Sequence, residues 1–111
     1  MIFLTQESQL IWINQFQILY FYSSWMPFHQ KMLLMLDKVK LKYPNIAFFA
    51  IDTEHFKVLR KRFDITSIPT TLLFQNCKEI KRIVDLPTTA DFVAVFDDIC
   101  IFESTFTEKK L

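Results

Sequence analysis

Two continuous apolar runs, Ile18–Tyr22 and Ile46–Ile51, are the clearest features of the hydrophobic pattern. Runs of this length without polar alternation are typical of strands that are buried on both faces of a sheet. The segment between them, Pro27–Tyr43, carries apolar residues three or four positions apart, which predicts an amphipathic helix. The residues that set this spacing are Met32, Leu33, Leu36, Val39 and Tyr43. Two strands joined by one long helix predict a right-handed crossover between parallel strands.

Capping residues and prolines give the bounds of the helices. Ser23 or Ser24 is available as the N-cap of the long helix. Pro27 fits the first turn of that helix, and Pro44 ends it. Three shorter helices are also predicted: Gln6–Ile13 with Thr5 as its N-cap, Glu54–Phe63, and a final helix that starts at Thr88–Asp91 and presents Phe92, Val95, Phe96 and Ile99.

Two further strands, Thr70–Phe74 and Glu79–Val84, are predicted to form a hairpin. Gln75–Lys78 joins them, and Asn76 is the residue in that turn best able to adopt a positive φ. A short strand at Ile2–Leu4 is a further candidate element before the first helix. The predicted order of elements is α-β-α-β-α-β-β-α, which indicates an α/β domain.

Composition supports one densely packed domain. The 111 residues suffice for a single core, and the hydrophobic fraction of 51% with an aromatic fraction of 16% excludes a disordered chain. We expect one domain over residues 1–111, with a core at residues 6–102 and a polar tail at residues 103–111. The chain contains no glycine, so each position with positive φ must be avoided or filled by Asn, Asp or a strained residue.

The charge pattern argues against two classes of partner. Thirteen basic and 12 acidic residues are interspersed and give a net charge of +1, so there is no electrostatic case for binding nucleic acid or an anionic membrane surface. The basic run Lys57–Arg62 is interpreted as the solvated face of a short helix. No apolar run reaches the roughly 18 residues of a membrane span. Met1–Glu7 lacks the features of a signal peptide. The cytoplasm is therefore favoured, and the lumen of the secretory pathway is the alternative for a domain excised from a longer protein.

Two cysteines, Cys77 and Cys100, lie far apart in the sequence and form no motif. An isolated pair makes neither a disulfide framework nor a zinc site. We expect two buried thiols, with a disulfide between them as the alternative.

Two short motifs point to a known family. The first buried strand runs directly into Trp25-Met26-Pro27-Phe28-His29, and further along the chain lies Ser67-Ile68-Pro69-Thr70-Thr71. In these motifs and in element order, residues 6–102 resemble the thioredoxin and protein disulfide isomerase families, which carry Trp-Cys-x-x-Cys and a cis-proline loop. The resemblance implies a thioredoxin fold, with a central mixed sheet of four to five strands and helices on both faces. It also implies a cis peptide bond before Pro69.

The residues that carry redox chemistry in these families are replaced in this chain. Met26 and His29 stand where the family has its two cysteines, and thiol–disulfide exchange needs a thiolate and a second sulfur. Tyr20 stands in place of a buried Asp that accepts protons, and Phe48 in place of an accompanying Lys. The resemblance therefore implies a redox-inactive domain with no catalytic residue, no cofactor and no metal site, in which dithiol exchange is not expected.

Three interpretations of His29 are open. In the first turn of a helix, the positive end of the helix dipole favours the neutral imidazole. A structural or peptide-contacting role is the first interpretation. Metal binding with Met26 is the second, although thioether and imidazole are ligands of mismatched softness. Catalysis with Ser23 or Ser24 is the third, although no acid is visible that would orient the imidazole.

The binding surface of the family is the feature that this chain retains. Carried over by motif, the peptide-binding residues are Trp25, Met26, Pro27, Phe28, His29, Ile68, Pro69 and Thr70. We therefore expect protein or peptide partners, in a chaperone-like or adaptor role. The alternative for the surface is that Met26 and Phe28 fold back onto the core. The alternatives for function are an oxidoreductase with residual or repurposed activity, and a structural domain that makes contacts through Trp12 or the Lys57–Arg62 helix face.

Overall fold

The computed structural model describes residues 1–13, 15–88 and 90–98. Its five strands are β1 (Ile2–Phe3), β2 (Phe16–Tyr22), β3 (Ala47–Asp52), β4 (Thr70–Gln75) and β5 (Lys78–Val84). Its helices are a single 3-10 turn at Glu7–Gln9, α1 (His29–Lys42), α2 (Lys57–Arg62) and α3 at residues 90–98. The two buried strands, the long helix and the hairpin are thus where the sequence predicts them.

The strands form one mixed sheet in the order β1-β3-β2-β4-β5. β3 pairs in parallel with both β1 and β2, and β4 pairs antiparallel with β2 and with β5. In the register, Phe21 lies opposite both Ile51 of β3 and Thr70 of β4. The end of β2 and the start of β4 therefore lie at the same edge of the sheet, which brings the segments around Trp25 and Pro69 to one end of the fold.

Helices cover both faces of the sheet, so the core has two halves. One half joins α1 and α3 to the sheet residues Ile18, Tyr20, Phe48, Ala50 and Leu73. The other half joins Leu59 of α2 to Leu19, Phe21, Phe49, Ile51, Leu72 and Phe74. Because successive residues of a strand point to opposite faces, the continuous apolar runs of β2 and β3 supply both halves.

The helix predicted at Gln6–Ile13 is wrong in extent. It is one 3-10 turn at Glu7–Gln9, and Thr5 does not cap it; the backbone amide of Thr5 donates instead to Gln9 Oε1 at 2.6 Å. Leu10 is already extended, and the side-chain amide of buried Gln17 donates to the carbonyl of Ile11 at 2.7 Å. A contact with a strand residue thus prevails over weak helical spacing.

Two helices begin later than predicted. α1 starts at His29 with Phe28 at its N-cap position and no side-chain cap, so neither Ser23 nor Ser24 caps it and Pro27 lies before its first turn. In front of α2, the carboxylate of Asp52 accepts the Glu54 amide at 2.9 Å, which holds that residue in a turn. α3 has the expected start, because Thr88 Oγ1 accepts an amide hydrogen bond three residues on at 3.2 Å. Ile99, Cys100 and the tail at residues 103–111 lie outside the described residues.

Four residues in the described part of the chain adopt positive φ without glycine. Asp64, Asn76, Cys77 and Asp85 have φ between 51° and 67°. Three of them are Asn or Asp, the residue types that tolerate this region best. The prediction for Asn76 is confirmed, and Cys77 shares the two-residue turn with it. Because that turn is exposed, the expectation of a buried Cys77 thiol is wrong.

Arg82 of β5 links the hairpin to the end of α2. Its guanidinium donates to the carbonyls of Phe63 at 2.9 Å and Asp64 at 3.1 Å, and it forms two further hydrogen bonds to the Glu79 carboxylate at 2.8 and 2.9 Å. The last carbonyls of a helix have no partner within the helix. Arg82 therefore supplies the donors that the end of α2 lacks.

Replacing Arg82 with glutamine should lower the free energy of unfolding by about 1–2 kcal/mol, because two helix-end carbonyls and a carboxylate lose charge-assisted donors. Urea unfolding followed by circular dichroism measures this difference. Lys81→Gln removes the same charge from an exposed neighbour and should change stability by less than about 0.5 kcal/mol. Equal effects from both variants would contradict the capping role.

Candidate functional site

The segment between β2 and α1 is held by three successive backbone hydrogen bonds. The amide of Met26 donates to the carbonyl of Ser23 at 3.0 Å, and the amide of His29 donates to that of Met26 at 3.2 Å. The amide of Met32 then donates to the carbonyl of Phe28 at 3.0 Å, which begins the regular helix. The segment thus forms consecutive turns that lead into α1. We call residues 23–29 the tryptophan loop.

The side chains of the tryptophan loop divide into two groups. Trp25 is 68% exposed and Phe28 is 49% exposed, with Pro27 exposed between them. Met26 is only 6% exposed and belongs to the half of the core that contains Tyr20. The expectation that Met26 contributes to the surface is therefore wrong, whereas Phe28 does not fold back. Met26 anchors the loop, and the two aromatic side chains remain in solvent.

The loop before β4 lies at the same end of the sheet and has its own internal support. The Ile68–Pro69 peptide bond is cis. Thr70 Oγ1 donates to the carbonyl of Ser67 at 2.6 Å, and the amide of Asp85 donates to the carbonyl of Pro69 at 2.9 Å. We call residues 67–70 the proline loop.

Within the proline loop, only part of the predicted surface is accessible. The side chains of Pro69 and Thr70 are buried, so they support the loop and do not form its surface. Ile68 is half-buried and packs against both halves of the core. Within the part of the chain that the structure describes, neither the amide nor the carbonyl of Ile68 takes part in a backbone hydrogen bond. Its donor and acceptor are therefore available to a strand-like segment.

His29 and Tyr20 form a direct contact that joins the loop to the central strand. Tyr20 Oη lies 2.9 Å from His29 Nδ1, and the Tyr20 side chain is fully buried. These are two of the positions that the family resemblance marks as lost redox groups. The structure brings the side chains at these two positions together as one hydrogen-bonded pair.

An aromatic stack surrounds this pair. The ring of Tyr22 lies parallel to the His29 imidazole with centroids 4.5 Å apart, and Tyr22 also stacks on Tyr20 at 5.3 Å. Phe3 of the edge strand closes the row with an edge-on contact to Tyr22 at 6.2 Å. Because residues two apart on a strand share a face, Tyr20 and Tyr22 meet α1 together. Sequence reasoning missed this contact, and the Tyr-x-Tyr spacing before the tryptophan loop is the signal that would have found it.

Burial sets the protonation of the cluster. It raises the pKa of the Tyr20 phenol well above its ordinary value of 10.0, with Tyr22 acting in the same direction. It also lowers the pKa of His29 below its ordinary value of 6.5, and the Asp52 carboxylate at the end of β3 opposes that change. Tyr20 is therefore a neutral phenol at every physiological pH, and His29 is a neutral imidazole near pH 7.

The catalytic and metal interpretations of His29 gain no geometric support. Ser23 is fully buried, and its Oγ has no hydrogen-bond partner, so His29 does not activate it. Among the residues described here, no group of three or more His, Cys, Asp and Glu side chains is arranged to hold a metal ion. His55 is exposed beside Phe56 on the other side of the sheet, in a ring contact at 5.5 Å. Of the three interpretations, the structural or peptide-contacting role agrees best with the Tyr20 contact.

Cys77 lies at the opposite end of the sheet. Its turn joins β4 to β5 next to Phe16, the first residue of β2, whereas the tryptophan loop follows the last residue of β2. An activated thiol needs a nearby helix N-terminus or cation. Cys77 therefore lies far from Met26 and His29.

Comparison with known proteins agrees with this architecture. The sequence model of the thioredoxin family matches residues 5–98. This chain belongs to the thioredoxin family. Its fold is accordingly the thioredoxin fold, here with a five-stranded mixed sheet between helices. In the part of this thioredoxin-family chain that the structure describes, no helix is both long and apolar enough to cross a membrane.

The relatives are thioredoxins and glutaredoxins at low identity. Thioredoxin-1 of Saccharomyces cerevisiae is 28% identical over 64 residues, which cover 58% of this chain and 62% of the yeast protein. Glutaredoxin-3 of Mus musculus is 23% identical over 66 residues, which cover 60% of this chain and 20% of the mouse protein. The thioredoxin-family chain thus matches less than two thirds of the length of either curated relative.

Solved structures match over a larger share of the chain. Mitochondrial thioredoxin 3 from Saccharomyces cerevisiae, in its oxidized form, superposes with a TM-score of 0.67 at 25% identity, covering 76% of this chain and 79% of that one. Thioredoxin O2 from Arabidopsis thaliana, also oxidized, gives a TM-score of 0.71 at 15% identity, covering 77% and 75%. The second likeness shows the fold alone.

Proposed function

We propose that this domain binds an extended segment of a partner protein between the tryptophan loop and the proline loop, and that it does so without dithiol exchange. In this role it acts as an adaptor or a chaperone-like module. The observation that carries the proposal is the exposure of Trp25 and Phe28, at 68% and 49%, on a loop anchored from below by Met26.

The case against redox exchange is chemical. At the two positions where the family has cysteines, this chain has Met26 and His29. A thioether has no proton to lose and forms no disulfide, so no mixed disulfide with a substrate can start there. His29 forms a hydrogen bond to Tyr20 through one ring nitrogen, and we assign it the role of supporting the tryptophan loop.

The case for binding is physical. Large aromatic side chains have few rotatable bonds and lose little conformational entropy when they are covered, and Trp is enriched among residues that dominate binding energy. Ile68 offers a backbone amide and carbonyl that pair with nothing in the described part of the chain. A strand-like segment that pairs with Ile68 would gain backbone hydrogen bonds without demanding a sequence. The aromatic contacts would supply most of the affinity.

Binding of a partner segment can be tested with carboxymethylated insulin B chain, an extended peptide without thiols. We expect its addition to the isotope-labelled protein to shift backbone amide resonances mainly at residues 23–29 and 67–70. Because the peptide has no thiol, any shift reports non-covalent binding. The absence of shifts, or shifts concentrated on the exposed faces of α2 or β5, would contradict the proposal.

Reduction of native insulin by dithiothreitol, with and without this protein, distinguishes the proposed function from the oxidoreductase alternative. We expect no acceleration over the uncatalysed reaction. Acceleration that disappears in the Cys77→Ala/Cys100→Ala variant would show a repurposed thiol and overturn the redox-inactive assignment. The names of the relatives make this assay necessary, since they are thioredoxins and glutaredoxins.

A further inference from the structure

The Tyr20–His29 hydrogen bond couples a titratable group to the tryptophan loop. The Tyr20 side chain is fully buried, and His29 Nδ1 at 2.9 Å is the partner of its hydroxyl in the described part of the chain. His29 is in turn joined to the loop, because its amide donates to the carbonyl of Met26. Any change in the hydrogen-bonding role of the imidazole therefore acts on the turn that carries Trp25 and Phe28.

We propose that protonation of His29 breaks its present arrangement with Tyr20 and moves the tryptophan loop, so that proton uptake weakens binding at this face. The part that concerns binding rests on the proposed function. The part that concerns the loop rests only on the Tyr20–His29 contact. The two parts are therefore tested by separate measurements.

The proton count explains why the contact is sensitive. With the imidazole neutral and its proton on Nε2, the Tyr20 hydroxyl donates to Nδ1 and both groups are satisfied. When a proton is added to Nδ1, that nitrogen becomes a donor and the phenol must accept instead. The hydroxyl proton of Tyr20 then needs another acceptor, and the described residues provide none within hydrogen-bond distance. A buried donor without a partner is unfavourable, so the ring is driven out of the stack.

The groups that face His29 come from β2, β3, the proline loop and the first turns of α1. β2 contributes the neutral phenols of Tyr20 and Tyr22, and β3 contributes the Asp52 carboxylate, the charge that favours the imidazolium. The proline loop contributes no ionisable side chain, and Met32 and Leu33, one turn further along α1, contribute none. The N-terminal position in α1 disfavours a positive charge. Burial and the helix end thus act against the proton, and Asp52 opposes them in part.

The sign of the pH effect follows from these contributions. Because burial lowers the pKa of His29 in the folded protein, the unfolded chain binds this proton more readily than the native arrangement does. The native contact is therefore fully stable above the ordinary value of 6.5 and is weakened as the pH falls through the folded-state pKa. We therefore expect the tryptophan loop to move at acidic pH, below 6.5.

A pH titration of the protein without peptide tests whether protonation of His29 changes the tryptophan loop. As the pH is lowered, we expect the imidazole resonances of His29, the indole of Trp25 and the amide of Phe28 to change together with one midpoint below the ordinary histidine value of 6.5. His29→Gln should abolish the change at Trp25 and Phe28. His55→Gln, which removes the other histidine of the chain, should leave it intact. No peptide is present, so this result is independent of the proposed function.

The affinity for carboxymethylated insulin B chain, measured at acidic and at neutral pH, tests whether protonation of His29 weakens binding. We expect binding to the wild-type chain to be weaker by on the order of fivefold or more at acidic than at neutral pH, in the range usual for coupled sites. His29→Gln should bind equally at both values, and His55→Gln should follow the wild type. In Tyr20→Phe no phenolic proton is left without an acceptor, so its loss of affinity should be smaller and should begin at higher pH.

Two results would overturn the inference. One is a titration of His29 that leaves Trp25 and Phe28 unchanged. The other is a pH dependence of affinity that persists in His29→Gln. A loop that responds to His29 in a protein that binds no peptide would support the coupling and reject the proposed function instead.

Discussion

The Trp25→Ala/Phe28→Ala variant should bind carboxymethylated insulin B chain at least about thirtyfold more weakly than the wild type, which corresponds to about 2 kcal/mol. Both side chains are largely exposed, so truncation removes contact area from the binding face while the fold loses little. Isothermal titration calorimetry near neutral pH measures the difference. Thermal unfolding of the same sample shows that the variant remains folded.

Leu41→Ala is the matched control for this double variant. Leu41 is 83% exposed and lies in the last turn of α1, at the end opposite the tryptophan loop. Its truncation removes a comparable apolar side chain from solvent and should leave affinity within about twofold, since it is outside the proposed face. Equal losses in Leu41→Ala and in the double variant would indicate non-specific apolar adhesion. Unchanged affinity in the double variant would place the binding face elsewhere.

Phe21→Ala should lower the free energy of unfolding by about 3–5 kcal/mol, the largest effect on stability that we expect. Phe21 is fully buried in the central strand, and its ring packs against Phe63 with centroids 5.7 Å apart. The substitution removes apolar surface that folding buries away from water. It also leaves a cavity that the neighbouring strands cannot close. Since small domains are stable by only about 5–15 kcal/mol, the variant should be partly unfolded at modest urea concentrations.

Phe28→Ala removes the same phenyl group from an exposed position and serves as the control. Phe28 is 49% exposed, so its truncation should cost less than about 1 kcal/mol. Urea unfolding followed by fluorescence gives both values from midpoints and slopes. A loss below about 1 kcal/mol for Phe21→Ala would contradict the burial of β2 between two layers of helices.

Much of the fold could be predicted from the sequence because its strongest signals are local. The runs Ile18–Tyr22 and Ile46–Ile51 have no polar interruption, which a strand exposed on one face would show. The absence of glycine likewise limited which residue types could occupy positions with positive φ. Asp64, Asn76 and Asp85 occupy three of the four such positions among the described residues. The helix predicted at Gln6–Ile13 was wrong in extent, and the carbonyl of Ile11 accepts a hydrogen bond from the side chain of Gln17 in β2, outside the predicted helix.

The candidate surface could be predicted only in part. Trp25, Pro27 and Phe28 are exposed as expected, whereas Met26 and Pro69 are buried. Residue type alone does not distinguish a methionine that lies on a surface from one that anchors a loop, because both are apolar and the turn decides which way the side chain points. Here the Met26 amide bonds to Ser23, and that turn directs the side chain to the core.

The sequence by itself determined that this chain is a thioredoxin-family domain whose two cysteines, Cys77 and Cys100, form no Cys-x-x-Cys motif. Such properties depend on residue identity and on periods of two and 3.6, which are visible along the chain. Only the tertiary structure decided that Tyr20 and His29 form one hydrogen-bonded pair, 2.9 Å apart. That contact depends on how α1 packs over β2, and packing between elements is set by the whole core and not by local spacing.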